Sequence, residues 1–152
     1  MVGQRQQHLT EELICHELYI DAPIDTVYYY VTQPDRWCEW HPTSLRADTG
    51  LAGSLPAGHR FSETIDLLAV QVPMSCRVLV AVFPKEFKTL FSSAAVDGSV
   101  HYHLSKQGEG TLFKRTLHYS TDLNLSGLRT RMEQSSAQAL VNLKNKLEQA
   151  GD

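Results

Sequence analysis

The chain has no excess of positive charge: Lys and Arg total 14 against 17 for Asp and Glu, the net charge is -3, and no block of like charge occurs. Without a basic face or tail, nucleic acid is not expected as a partner. No apolar run approaches the ~20 residues that a spanning helix requires, so membrane insertion is not expected either. The opening MVGQRQQHLTEE is polar and lacks a signal peptide's apolar segment, which points to the cytoplasm. Cysteine is scarce. Cys15, Cys38 and Cys76 are an odd number at wide spacing, which suits reduced thiols and not a disulfide framework. Cys38 and His41 form a C-x-x-H, but the other two ligands of a zinc site have no matching spacing, so no metal is expected. A phosphate-binding glycine loop and a nucleophile beside a base are both missing. No cofactor is expected, and whether any reaction is catalysed stays open.

What the chain has is one strong amphipathic pattern near its end. From Leu125 the apolar residues Leu128, Met132, Ala139, Leu143 and Leu147 recur at helical steps. From Arg60 to Ser120 the sequence instead reads as strand-length runs broken by turn residues. These two patterns predict an α+β fold in which a curved antiparallel sheet of six to seven strands grips one long C-terminal helix. Its length, 152 residues, suits a single domain. Residues 1–11 read as a flexible N-terminus and 12–150 as that domain.

The strands follow from alternation and turn chemistry. A first strand runs from Glu12 to Ile20, with Ile14, His16, Leu18 and Ile20 on one face. Ala22-Pro23 then opens a short helix bearing Ile24, Val27, Tyr28 and Val31 on one side, and a brief helical turn follows from Arg36 to Trp40. Ser44 to Asp48 is at best a short strand. Further strands are expected at Arg60–Leu68, Ser75–Phe83, Phe87–Ala95, Ser99–Lys106 and Thr111–Ser120. Asp97-Gly98 reads as a two-residue hairpin turn, which would pair residue 94 with 101.

That reading sorts the side chains into two faces. Ser92, Ala94, Ser99, His101, His103, Ser105, Lys114, Thr116 and His118 make a polar outer face, so the three histidines are read as solvated and not as metal ligands. Phe87, Thr89, Phe91, Val100, Tyr102, Leu104, Phe113, Leu117 and Tyr119 make the inner one, together with Arg115. A guanidinium cannot be buried alone without a cost of several kcal/mol. Its expected partner is Glu63, which alternates with Phe61 and Ile65.

The element order and several residue patterns resemble the helix-grip fold of the START-like, Bet v 1-like (SRPBCC) superfamily, and more closely its bacterial polyketide cyclase/dehydrase branch. The resemblance rests on Ile20, Ala22, Pro23, Val27, Trp40 and Pro42, on Gly58-x-x-Phe61, on Phe83-Pro84 and on Gly110-Thr111, within residues 12 to 148. Tyr28 stands where many relatives carry tryptophan. The resemblance implies a hydrophobic cavity between sheet and helix that takes lipids, polyketides or similar molecules.

The expected partner is therefore a hydrophobic or aromatic small molecule, bound by a monomer or a homodimer. The expected ligand-binding residues are Trp37, Phe61, Glu63, Ile65, Phe91, Tyr102, Phe113, Arg115, Met132 and Ser136. Trp37 is read as lining the access and Trp40 as a packing anchor. The alternative is a cyclase or dehydratase in which His16, Glu63 or Tyr102 moves a proton. A third reading is an interaction protein whose cavity is filled by its own side chains.

Overall fold

A computed structural model describes residues 9–124 and 126–150. The predicted loose segment at residues 1–8 and the start of the helical pattern at Leu125 lie outside the described residues. Seven antiparallel strands form one sheet in the order β1-β7-β6-β5-β4-β3-β2. They are β1 (Thr10–Ile20), β2 (Ser44–Asp48), β3 (Arg60–Leu67), β4 (Val70–Val82), β5 (Glu86–Ser92), β6 (Asp97–Gln107) and β7 (Gly110–Thr121). Helix α1 (Ile24–Val31) and a 3-10 helix (Pro34–Glu39) connect β1 to β2, and α2 (Leu128–Ala150) closes the fold. The α+β helix-grip architecture is as predicted. No described helix is long and apolar enough to cross a membrane.

Helix α2 lays its predicted stripe on the sheet. Leu128, Met132, Ala139, Leu140, Leu143 and Leu147 are all buried, and so are Ser135 and Ser136 between them. Large side chains therefore anchor both ends of the helix, while its middle presents hydroxyls and a methyl group. In α1 the predicted face is buried as well, and Tyr28 meets Phe83 edge-on at 5.2 Å. Trp40 is fully buried, as its reading as a packing anchor required.

Three sequence expectations are corrected. Strand β1 begins at Thr10, so residues 10 and 11 are ordered strand and not loose N-terminus. Strand β4 begins at Val70 and not at Ser75, because Pro73 misleads: β5 ends with Ser92 opposite Ser75, leaving β4 beyond that point without a neighbour on one side, where proline is tolerated. The third concerns Asp97-Gly98, which is not a turn.

Asp97 and Gly98 lie inside β6, with Gly98 opposite Phe91 and Tyr119. A Cβ on Gly98 would sit 2.0 Å from the His118 carbonyl oxygen and 2.8 Å from the Phe91 ring, so the glycine is required by close packing. The real turn precedes it. Ser93 Oγ accepts from the backbone N–H groups of Ala95 and Val96, and the Ser93 N–H donates to Asp97 Oδ1. His101 consequently pairs with Lys88, six residues from the predicted partner 94. An even slip leaves the faces intact, so the inner set and the outer residues that lie in strands remain as predicted. Ala94 instead lies in the turn, because β5 ends at Ser92 and not at Ala95.

Candidate functional site

Between the middle of α2 and the inner face of β3 to β7 lies a cavity with about 660 Å³ of unfilled space, counting a mouth that opens to solvent. The room in it that the centre of a water-sized molecule can occupy is much smaller, about 60 Å³. Its wall is mainly apolar: Ile65, Met74, Phe91, Val100, Leu117 and Met132 contribute. Polar groups sit at a few points, the pattern of a small-molecule site.

Eight of the ten predicted ligand-binding residues line this space: Trp37, Glu63, Ile65, Phe91, Tyr102, Arg115, Met132 and Ser136. Phe61 and Phe113 do not. Phe61 packs edge-on to Trp37 at 5.8 Å, and Phe113 packs behind Tyr102 at 5.1 Å, so both support the wall from outside. Trp37 is held by its indole N–H, which donates to the Val31 carbonyl at 2.8 Å.

Arg115 enters from β7 opposite Tyr102 on β6 and is only 6% exposed. Its Nη1 donates to Ser136 Oγ at 2.9 Å, while its Nε finds no acceptor among the described residues. The expected ion pair with Glu63 is not formed. Glu63 instead accepts from the Ser44 hydroxyl at 2.7 Å, because a register irregularity between Ser44 and Arg46 in β2 turns Ser44 inward. Burial raises the Glu63 carboxyl to about 7, against the opposing pull of Ser44 and of the Arg115 charge. It therefore exchanges its proton near neutral pH. Burial also pushes the Tyr102 phenol well above its usual range, so it remains a neutral O–H. The Cys76 thiol is pushed up to about 12 by burial and by Glu63, which leaves it inert as a nucleophile.

His16 is not part of the site. It is opposite Arg115 on β1, yet its ring runs toward α2, where Nε2 approaches Glu133 Oε1 at 3.1 Å without hydrogen-bond geometry. The histidine that does reach the cavity is His41, beyond the 3-10 helix. Its Nδ1 accepts from the Thr43 N–H at 3.2 Å, which leaves the proton on Nε2. Burial, then the charges of Arg115 and Arg131, hold it well below the ordinary imidazole range, so it stays neutral. Thr43, Thr89 and Ser135 also line the space, and Ser135 Oγ has no partner among the described residues. Alternation in the sequence already puts Thr89 on the inner face, and helical spacing puts Ser135 at the inner edge of α2. His41 is marked only by its place beside Trp40 and its spacing from Cys38, and Thr43 by nothing.

This geometry agrees with the comparisons. The chain belongs to the polyketide cyclase/dehydrase and lipid transport family, whose model matches residues 14–148. Similar solved structures include the Zhui aromatase/cyclase from Streptomyces sp. R1128, at 13% identity and TM-score 0.78, covering 94% of this chain and 97% of that one. A START superfamily protein from Mycobacterium smegmatis is 13% identical with TM-score 0.72, covering 91% and 98% of the two chains. The TTHA0849 protein from Thermus thermophilus is 15% identical with TM-score 0.77, covering 93% and 100%. At these identities the likeness is one of fold. No match was found among curated proteins.

Proposed function

We propose that the cavity binds a flat, largely apolar small molecule bearing one oxygen function, such as a carbonyl or carboxylate, with its body against Ile65, Phe91, Met74 and Met132 and its oxygen toward Arg115. The observation that carries this reading is the buried Arg115 guanidinium, which lines the cavity and, among the described residues, has no carboxylate within ion-pair distance and no hydrogen-bond partner for its Nε. A bound oxygen would satisfy it, and a charge-assisted hydrogen bond is worth about 1–3 kcal/mol. The protein on this reading is a cytoplasmic binder or carrier and needs no cofactor.

The test uses 2-naphthoate, with naphthalene as the probe lacking the oxygen. Wild-type protein is expected to bind naphthoate more tightly than naphthalene, and Arg115→Met to remove that preference. Equal affinities in the wild type, or an unchanged preference in Arg115→Met, would overturn the reading.

A second reading is supported by Glu63, whose carboxyl at about 7 can give or take a proton beside the neutral Tyr102 phenol. On that reading the cavity folds a polyketide-like chain for cyclisation or dehydration. Glu63→Gln would then abolish turnover of such a chain while leaving its binding intact.

A further inference from the structure

The outer face of the sheet carries a cluster independent of the cavity. His101 and His103 stand two residues apart on β6, and Glu86 on β5 lies directly opposite His103. Strand alternation puts all three on one side, while Tyr102 between them turns to the cavity. The two imidazole rings are 4.1 Å apart, and both Nε2 atoms approach the same carboxylate oxygen, Glu86 Oε2, at 2.7 and 3.5 Å.

The His101–Glu86 hydrogen bond accounts for one histidine. It gives no reason for a second imidazole beside the first, converging on an oxygen already occupied. A shared cation does give one. The donor atoms of Glu86, His101 and His103 all lie within 4.8 Å of one another. Around Zn²⁺, with ligand bonds of about 2.0–2.1 Å, the edges of a tetrahedron are about 3.3–3.4 Å, and the two measured separations bracket that value.

We propose that Glu86, His101 and His103 form a binding site for a borderline divalent transition metal such as Zn²⁺, with its remaining coordination position open to solvent. Two imidazoles and one carboxylate are the donor set of open zinc sites, whereas Mg²⁺ and Ca²⁺ prefer oxygen ligands alone. Lys88 opposite His101 and Lys114 opposite His103 share the face and favour an anion in the open position. His118, which the sequence grouped with the other two, lies opposite Ser99 and outside the cluster.

Calorimetric titration of the full chain without a histidine tag, first stripped with a chelator, tests the site with ZnCl₂ and MgCl₂. One Zn²⁺ per chain is expected and no Mg²⁺. His101→Ala and His103→Ala should each weaken Zn²⁺ binding by at least about tenfold, with His118→Ala unchanged. Long-range ¹H–¹⁵N spectra of the wild type add a readout that needs no variant: Zn²⁺ should move the ring nitrogens of His101 and His103 together. Absence of saturable binding, stoichiometric binding that survives in His101→Ala/His103→Ala, or shifts confined to other histidines would overturn the proposal.

Discussion

Arg115 on β7 donates through Nη1 to Ser136 Oγ on α2 at 2.9 Å, a hydrogen bond that crosses from sheet to helix where the helix is thinnest in side chains. A short residue at 136 is what leaves both the bond and the space. A longer apolar side chain there would fill the cavity and strand the guanidinium, so the relationship links packing to binding.

Ser136→Leu is therefore expected to lower 2-naphthoate affinity by about tenfold or more, at an overpacking cost of about 1–3 kcal/mol in stability. Circular dichroism would establish that the fold persists, and fluorescence titration would read the affinity. Wild-type affinity in a folded Ser136→Leu protein would place the ligand elsewhere.

Glu63 makes stability depend on pH in a definite direction. Its folded value of about 7 lies above the ordinary 4.5, so between those values the folded state holds a proton that the unfolded state has lost. The stabilisation is complete below about 4.5 and is lost as pH rises toward 7. For this one group the loss from pH 5 to pH 8 is about 2–3 kcal/mol. Urea denaturation at both values should show wild type losing more stability than Glu63→Gln by that margin, whereas equal losses would mean that the carboxyl is ionised throughout.

His16 supports the frame and not the site. Its approach to Glu133 is a partly exposed contact between β1 and α2, and even a charged contact of that kind is worth only about 0–1 kcal/mol. His16→Ala should leave naphthoate affinity within about twofold, a margin of about 0.4 kcal/mol that lies inside that range. A tenfold loss by the same titration would restore His16 to the binding machinery.

The legible and illegible parts of this molecule divide along physical lines. The stripe Leu128, Met132, Leu143, Leu147 announced α2, because burial of one helix face imposes its period on the sequence. Face assignment in the meander was equally secure, since alternation survives an even slip of register. The register itself was not legible: Asp97-Gly98 carries a turn signal, but Gly98 answers a steric demand from Phe91 and β7 that only the folded sheet reveals.

The site was read to the same depth. Alternation placed Glu63, Tyr102 and Arg115 inward, yet it carries no information on distance across the interior, so the expected Glu63–Arg115 pair resolves into bonds to Ser44 and Ser136. Phe61 and Phe113 share the inner face with cavity residues and differ only in position along their strands. His41 and Thr43 come from a connection without periodicity, where no pattern in the sequence encodes direction.

Met74 and Met132 face each other's side of the cavity from β4 and α2, which makes their methyl groups reporters of anything bound between sheet and helix. In protein labelled with ¹³C at the methionine methyls and assigned through Met74→Leu and Met132→Leu, 2-naphthoate should shift both resonances saturably, with intermolecular NOEs to the aromatic protons. Saturable binding that leaves both methyls unmoved, or no binding at all, would contradict a ligand cavity under α2.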